Sequence, residues 1–226
     1  MKNHLKRIAS PRTWVINRKQ NTFIVRPNPG AHALDTGLPL GTVLRDNLQI
    51  AKTMAEIKKI LNNKEVLVDG KRRKDHHHII GLFDVLAIPE VKKYYRVTLD
   101  TKGRLTLKEI DVKESAIKVS KIVSKTLIAK GKMQFNLHDG KNIIADKEAK
   151  VGDSFVLTLP KLEIKEVLPL KEGMNVFLAK GKHSGGKGVL KKIAGHEAHY
   201  TEDNKDIETL KDYLFVVGDK KSVIEL

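Results

Sequence analysis

The apolar residues between positions 38 and 88 change period partway along, and this narrows the choice of fold more than any other feature of the chain. Leu40, Val43, Leu44, Leu48 and Ala51 recur at helical spacing, which predicts a first helix with one apolar face. Thr53 stands three residues ahead of Glu56, the spacing of a capping box: the hydroxyl accepts one orphan N–H of the helix start, and the carboxylate reaches back for another. Met54, Ile57, Ile60 and Leu61 supply the buried stripe of a second helix that Asn62 and Asn63 end. From Glu65 to Asp69 the pattern alternates, with Val66 and Val68 on one face, and Asp69-Gly70 is a hairpin turn signal. Ile79, Ile80, Leu82, Val85 and Ile88 provide apolar material to close a small sheet. Two short helices and then a hairpin are expected.

Charge is the second constraint. Lys71, Arg72, Arg73 and Lys74 follow the turn at once. Such a run reads equally well as a solvated rim or as a contact for a polyanion. Residues 1–34 add Lys2, Lys6, Arg7, Arg12, Arg18, Lys19 and Arg26, with no carboxylate before Asp35. Over the 226 residues the net charge is +16. A surplus of that size costs self-repulsion that a polyanionic partner relieves, nucleic acid first and an anionic membrane surface second. Pro11, Pro27, Pro29 and Gly30 interrupt regular structure in the arm and its apolar residues are sparse, so it is expected not to order by itself. Bound to phosphates it would order, with Trp14 or Phe23 stacking on a base or packing on a neighbour. Its removal is then expected to leave the folded parts melting normally. A flexible basic tail without a specific role is the plainer alternative.

Composition bounds the rest. Apolar residues make up 40% of the chain, enough for the cores of two or three small domains. The absence of cysteine excludes disulfides, thiolate zinc sites and thiol catalysis. No apolar run follows the first charges, so no signal peptide is expected, and no stretch approaches the roughly 18 apolar residues of a membrane span.

The order helix, helix, hairpin with a basic rim resembles the alpha-L RNA-binding motif, a module of many proteins that bind structured RNA. HLKRIASPRTW (4–14), PNPGAHALDTGLPL (27–40) and the module after them resemble the start of the archaeal and eukaryotic small-subunit ribosomal protein S-four-e family. YRVTLDTKGRLTL (95–107) and the glycine motif near 181–188 follow in the family's order, so the resemblance spans essentially the whole chain. It implies a structural component of the small ribosomal subunit that binds ribosomal RNA, cytoplasmic, and of archaeal type because the longer C-terminal tail of eukaryotic members is missing. His76-His77-His78 departs from the family's pattern, where an aromatic and a proline are commoner.

Downstream the chain reads as strands. Val97, Leu99, Leu105 and Leu107 alternate about the turn Thr101-Lys102-Gly103. Residues 109–115 are a short helix or a loop, and the period of Val119, Ile122, Val123, Leu127 and Ile128 is ambiguous. Phe135 and Leu137 alternate before a turn at Asp139-Gly140, and Phe155, Leu157 and Leu159 share a face, which predicts a one-faced antiparallel sheet. Met174, Val176 and Leu178 alternate ahead of KGKHSGGKG (180–188), whose glycines permit a tight loop and close approach of phosphate. This last part resembles a KOW motif in an SH3-like β-barrel.

Three other chemistries fit the residues less well. Gly181 to Lys187 satisfies the start of a P-loop, but Gly188 stands where a magnesium-binding Ser or Thr belongs, and Val189 and Leu190 begin a strand rather than a helix. His76, His77 and His78, with Asp75, are metal-ligand types; on a strand neighbours face opposite ways, so at most two share an ion and no metal site is expected. No Ser/His/Asp grouping has a nucleophile-elbow context, and no catalytic residue, cofactor or enzyme activity is expected.

The expected fold is α+β and multidomain: a basic N-terminal arm (1–37), an alpha-L-type helix-helix-hairpin module (38–92), a central β domain (93–170) and an SH3-like KOW barrel (171–226). The expected RNA-binding residues are Lys6, Arg7, Arg12, Trp14, Arg18, Lys19 and Arg26 in the arm, Arg45, Lys71, Arg72, Arg73 and Lys74 in the module, and Lys180, Lys182, His183 and Lys187 in the glycine loop. Lys6, Arg7 and Arg12 are carried by the resemblance; the others rest on charge and position. Small-subunit ribosomal RNA and neighbouring ribosomal proteins are the expected partners, with no membrane and no self-association. An enzyme acting on RNA and a free RNA-binding regulator are the competing classes.

Overall fold

Thr53 caps the second helix as its spacing predicts. A computed structural model describes residues 4–202, 205–219 and 221–225, with Lys130 by its backbone only. The helix spans Met54–Asn63, Glu56 donating its N–H to Thr53 Oγ1 at 3.3 Å and Thr53 donating its own to Glu56 Oε2 at 3.2 Å. Ile57 and Leu61 are fully buried. The first helix is shorter than its apolar pattern suggests. Leu40–Thr42 is α-helical and Val43–Asn47 is wound as a π turn, with Leu48 N–H on the Val43 carbonyl at 2.9 Å. Gln49 then takes a left-handed φ of 52°, so Leu48 and Ala51 lie past the helical stretch and are only half-buried. At the hairpin, Asp69 and Gly70 both have positive φ, 51° and 73°, as a two-residue turn of matching twist requires, and Val68 pairs with Lys71 across it.

The chain divides into two compact units. The first takes in the described residues up to Thr98 together with Arg104–Ser115. Its five-stranded sheet runs in the order Lys71–Arg72, Leu67–Val68, Val85–Ile88, Lys93–Leu99, Leu105–Glu109. Two small antiparallel pairs flank it, Gly37–Pro39 with Ile79–Gly81 and Leu5–Lys6 with Phe23–Ile24.

The second of those pairs belongs to the arm, and here the structure corrects the sequence reading. The arm is folded into the first unit. Trp14 is 2% exposed, bridges to Leu105, and donates its indole N–H to the Leu34 carbonyl at 3.2 Å. Leu105 N–H donates to the Thr13 carbonyl at 2.7 Å, and Thr13 Oγ1 donates to the Asp35 carbonyl at 2.7 Å. Arg7 is 1% exposed, with its guanidinium on the Asn17 carbonyl and, at 3.3 Å, on Asp46. Arg18 spans the Ser10 carbonyl (2.7 Å) and the Pro11 carbonyl (2.6 Å). The arm lacks apolar periodicity because much of its order comes from guanidiniums that satisfy backbone carbonyls, and hydrophobic patterning does not record such bonds.

The second unit comprises Leu99–Gly103 and the described residues from Ala116 onward. It holds two five-stranded antiparallel sheets. One runs Asn142–Ile144, Met133–Leu137, Ile117–Leu127, Ser154–Thr158, Glu163–Leu168; the other runs Lys205–Leu210, Glu197–Glu202, Lys187–Ala194, Asn175–Leu178, Leu214–Gly218. The expectation of a one-faced central sheet does not hold. Phe155 and Leu157 pack with Ile122, Phe135 and Leu137 on one side of their strand, while Val156 points the other way into the core of Val176, Leu190, Tyr200 and Val216. One strand is thus buried on both faces. Lys118 and Asp139 form a buried pair, Nζ to Oδ2 2.7 Å, with Lys141 Nζ at 3.1 Å. Burial alone would push the Asp139 carboxyl up; the Lys118 ammonium, helped by His138 and Lys141, instead holds it well below its ordinary range.

Two outcomes follow. Trp14→Ala is expected to destabilise the first unit by about 3–5 kcal/mol, the usual cost of emptying a buried aromatic site, in urea unfolding followed by circular dichroism; an unchanged midpoint would restore the picture of a detachable arm. Because the folded carboxyl of Asp139 lies below its ordinary 3.8, it stabilises above that pH, and this contribution is lost as pH falls from there through the folded value. Lys118→Met, which leaves the carboxylate with the half-exposed Lys141, is expected to cost about 3–5 kcal/mol at neutral pH. It should also flatten the acid limb, as read from urea midpoints at neutral pH and near pH 3.

Candidate nucleic-acid interface

The sixteen candidate residues separate by what their side chains already hold. Arg7 and Trp14 are buried, so neither is placed to meet a phosphate or a base; for both, an RNA-contact role is corrected to a structural one. Arg18 is half-buried and committed to the Ser10 and Pro11 carbonyls. Arg45 grips Asp46 through two bonds of 3.0 Å, and Asp46 also takes the guanidinium of Arg7, so one carboxylate holds two arginines. Arg73 is half-buried, with its backbone N–H on the Val66 carbonyl at 2.9 Å. Lys2 lies outside the described residues.

The remaining candidates of the first unit are exposed: Lys6, Arg12, Lys19 and Arg26 in the arm, and Lys71, Arg72 and Lys74 at the hairpin. Arg72 also donates to the Asn62 carbonyl at 2.9 Å, at the end of the helix Met54–Asn63, where the last carbonyls and the helix dipole favour a cation. That same helix presents two cations the sequence reading passed over. Lys58 and Lys59 are on its exposed face, and Lys58 stands near enough to His76 to help keep that imidazole from protonating, after burial and the His77 ring. The signal was available, since both lysines fall between the buried positions Ile57 and Leu61.

In the second unit Lys180, Lys182, His183 and Lys187 are all exposed. The loop that carries them differs in its chemistry from a phosphate cradle. Ser184 N–H donates to the Gly181 carbonyl, Gly185 N–H to Leu178, Gly186 N–H to His183, and Lys187 N–H to the Glu202 carboxylate at 3.0 Å. These four donors are spent on protein oxygens. The glycines serve close packing: a Cβ at Gly185 would run into the Asp100 carbonyl, and one at Gly188 into the Thr201 carbonyl. These four N–H groups and these two glycines are therefore turned to protein rather than to a phosphate, while the Lys180, Lys182 and Lys187 side chains are exposed. His183 lines an open groove with three carboxylates, Glu202, Asp206 and Glu208, and one ammonium, Lys205, so its surroundings carry more acid than base.

Behind the loop lies a cation cluster that no sequence spacing reveals, because its members are far apart in the chain. Lys121 is 7% exposed, donates to the Asp212 carbonyl at 2.7 Å and sits 5.7 Å from the Phe215 ring centre. Burial pushes its ammonium down to about 8; the Asp212 carboxylate works against this, and the positive charges of Lys180 and Lys211 reinforce it. Lys180 is thus one of three ammonium groups, with Lys121 and Lys211, near enough to act on one another's charge.

Comparison with known proteins places this arrangement. The model of Ribosomal family S4e matches residues 91–164, and that of the RS4NT (NUC023) domain matches residues 1–35. The small ribosomal subunit protein eS4 of Methanocella arvoryzae is 41% identical over 229 residues, covering 99% of this chain and 97% of that one. The eS4 protein of Nanoarchaeum equitans is 43% identical over 194 residues, covering 85% and 83%. The crystal structure of the 30S ribosomal protein S4e from Thermoplasma acidophilum superimposes with a TM-score of 0.72 at 28% identity, covering 82% of this chain and 96% of that one. The acid-free start, the strand pair about Thr101-Lys102-Gly103 and near-complete coverage by such relatives have one common explanation: the chain belongs to the ribosomal S4e family.

Proposed function

We propose that this chain is a structural constituent of the small ribosomal subunit, cytoplasmic as part of that particle, and that it binds ribosomal RNA through exposed cations on both of its units. The observation that carries the reading is the near-full-length identity to eS4 proteins. The cations left facing outward supply the mechanism. Lys6, Arg12, Lys19 and Arg26 form one set, and Lys58, Lys59, Lys71, Arg72 and Lys74 a second. Lys180, Lys182 and Lys187 form a third, with His183 at its acidic margin. Arg7, Arg18 and Arg45 act behind these sets as supports. Binding neutralises phosphates and releases counterions, and recognition is of shape and backbone, because A-form RNA hides its base edges in a deep groove.

Two finer assignments go with this reading. Residues 38–92 act as an alpha-L-type module, supported by the capped helix and the two-residue hairpin with its basic rim. Residues 171–226 act as a KOW-type SH3-like barrel, supported by five antiparallel strands about a shared core. Neighbouring ribosomal proteins complete the partners, and the chain works as a single copy without catalysis or cofactor.

RNA affinity is expected to fall with salt, with a log–log slope steeper than about −3 when about five or more phosphates are neutralised. Filter binding of purified small-subunit RNA between 50 and 300 mM salt, roughly the range over which such slopes are resolved, measures it. Replacing Lys71, Arg72 and Lys74 by Ser should reduce the slope without moving the melting temperature by more than a few degrees, whereas a flat salt response would sink the electrostatic account. In cell extracts the chain is expected to sediment with small subunits through high-salt washing. Release by the wash would favour a free regulator, and turnover of RNA or nucleoside triphosphate by the pure protein would favour an enzyme.

A further inference from the structure

Three consecutive histidines on a strand would point to alternate faces, which is why the sequence argues against a shared ion. The structure removes that premise. His76 and His77 occupy a turn ahead of the strand Ile79–Gly81, and their ring centres are 4.0 Å apart. One donor atom each from Asp75, His76 and His77 lies within 4.8 Å of the other two, and His76 Nδ1 is 3.6 Å from Asp75 Oδ1. We propose that this turn binds one divalent transition-metal ion of the zinc type, with Asp75, His76 and His77 as protein ligands and water completing the shell.

Two further features suit the turn to that role. His77 Nδ1 is 2.6 Å from the Arg26 carbonyl. A carbonyl only accepts, so Nδ1 is the donor and Nε2 is the nitrogen left to face an ion, the arrangement in which a ligating imidazole is oriented by a backbone partner. The Asp75 carboxylate is likewise oriented, Oδ2 by Asn28 Nδ2 at 3.0 Å and Oδ1 by the His77 N–H at 2.8 Å. Two imidazoles and one carboxylate select zinc, cobalt or nickel over magnesium or calcium, whose shells are built from oxygen. Tetrahedral bonds of about 2.0–2.2 Å set ligand atoms about 3.4 Å apart, so the donors need to close by roughly 1 Å. Asp75 is exposed and both histidines are half-buried, which leaves the side chains that room to rotate.

The site would also have a mechanical consequence. Asp75 already accepts from Asn28 and His77 already donates to the Arg26 carbonyl, so an ion at the turn fastens that part of the arm to the strand Ile79–Gly81. Arg26, one of the proposed RNA contacts, would be held in place by it.

The test uses the full chain without RNA and without a polyhistidine tag. Zinc chloride is titrated by calorimetry, and cobalt(II) by its visible absorption. One site per chain is expected, with a dissociation constant below about 100 μM, and saturating zinc is expected to raise the melting temperature. His76→Gln, whose ring makes no hydrogen bond to the backbone among the described residues, should weaken zinc binding at least about ten-fold and abolish the thermal shift. His77→Gln and Asp75→Asn should do the same, while His196→Gln, on an exposed turn of the second unit, should change affinity by less than about two-fold. The proposal is overturned if no saturable one-site binding appears. It is equally overturned if His76→Gln, folded by circular dichroism, binds zinc as the parent does, since the metal would then sit elsewhere.

Discussion

The carboxylate of Asp46 is the fixed point of the first unit. It takes the buried guanidinium of Arg7 on one side and the two-pronged grip of Arg45 on the other. A guanidinium 1% exposed is tolerable only if its charge is met, because removing an ion from water costs several kcal/mol that only good geometry returns. Asp46 meets it from the π-wound turn Val43–Asn47, so the arm is tied to the first helix. Trp14 against Leu105 continues the attachment, and Arg18 on the Ser10 and Pro11 carbonyls braces the arm internally. A basic segment that would be disordered alone becomes a surface from which Lys6, Arg12, Lys19 and Arg26 project at set positions. That ordering is done before any RNA arrives, so binding does not have to supply it.

The second unit reaches the same end by different means. Its fixed point is the strand Ser154–Thr158, paired with Ile117–Leu127 and Glu163–Leu168 and covered on both faces. Val156 contributes to one core while its neighbours Phe155 and Leu157 contribute to the other. A slip of one residue would exchange these side chains between cores of different shape, so register is strongly specified. The glycine loop is seated just as firmly: its N–H groups close on protein oxygens and its glycines lie against Asp100 and Thr201.

Local signals in the sequence proved readable where the chemistry is local. The Thr53–Glu56 box, the Asp69-Gly70 turn, the stripe through Ile57 and Leu61 and the strand that follows the glycine motif all depend on neighbours a few residues apart. What escaped depends on groups distant in sequence. The arm's order comes from Arg7 reaching Asp46 and Trp14 reaching Leu105. The cluster of Lys121, Lys180 and Lys211 is assembled from three separate segments. For the candidate site, charge and position picked out lysines that are exposed, such as Lys71, Lys74, Lys180 and Lys182, but passed over Lys58 and Lys59. They did not separate arginines that hold the fold from arginines on the surface, because that separation depends on which carbonyls happen to lie within reach.

The separation itself has a physical basis. Of the described cations, those that hold backbone carbonyls or half-buried carboxylates include Arg7, Arg18, Arg45, Arg72 and Arg96, the last with two bonds to Glu114, and among the lysines Lys121 and Lys147 hold carbonyls. Those that project are mostly lysines. A guanidinium is planar, weakly hydrated and offers five donors in a fixed fork, so one side chain satisfies several acceptors at a modest desolvation cost. An ammonium is strongly hydrated and loses more on burial, but on its flexible stem it reaches a phosphate in many geometries. Lys118 and Lys121 test the rule by breaking it. The first is kept buried by a carboxylate at 2.7 Å, and the second, whose direct partner is a carbonyl oxygen, has its ammonium pushed down to about 8. Inside the second unit, then, one lysine is answered by a full opposite charge and the other holds its own proton less tightly, while the exposed lysines keep the hydration that burial would cost them.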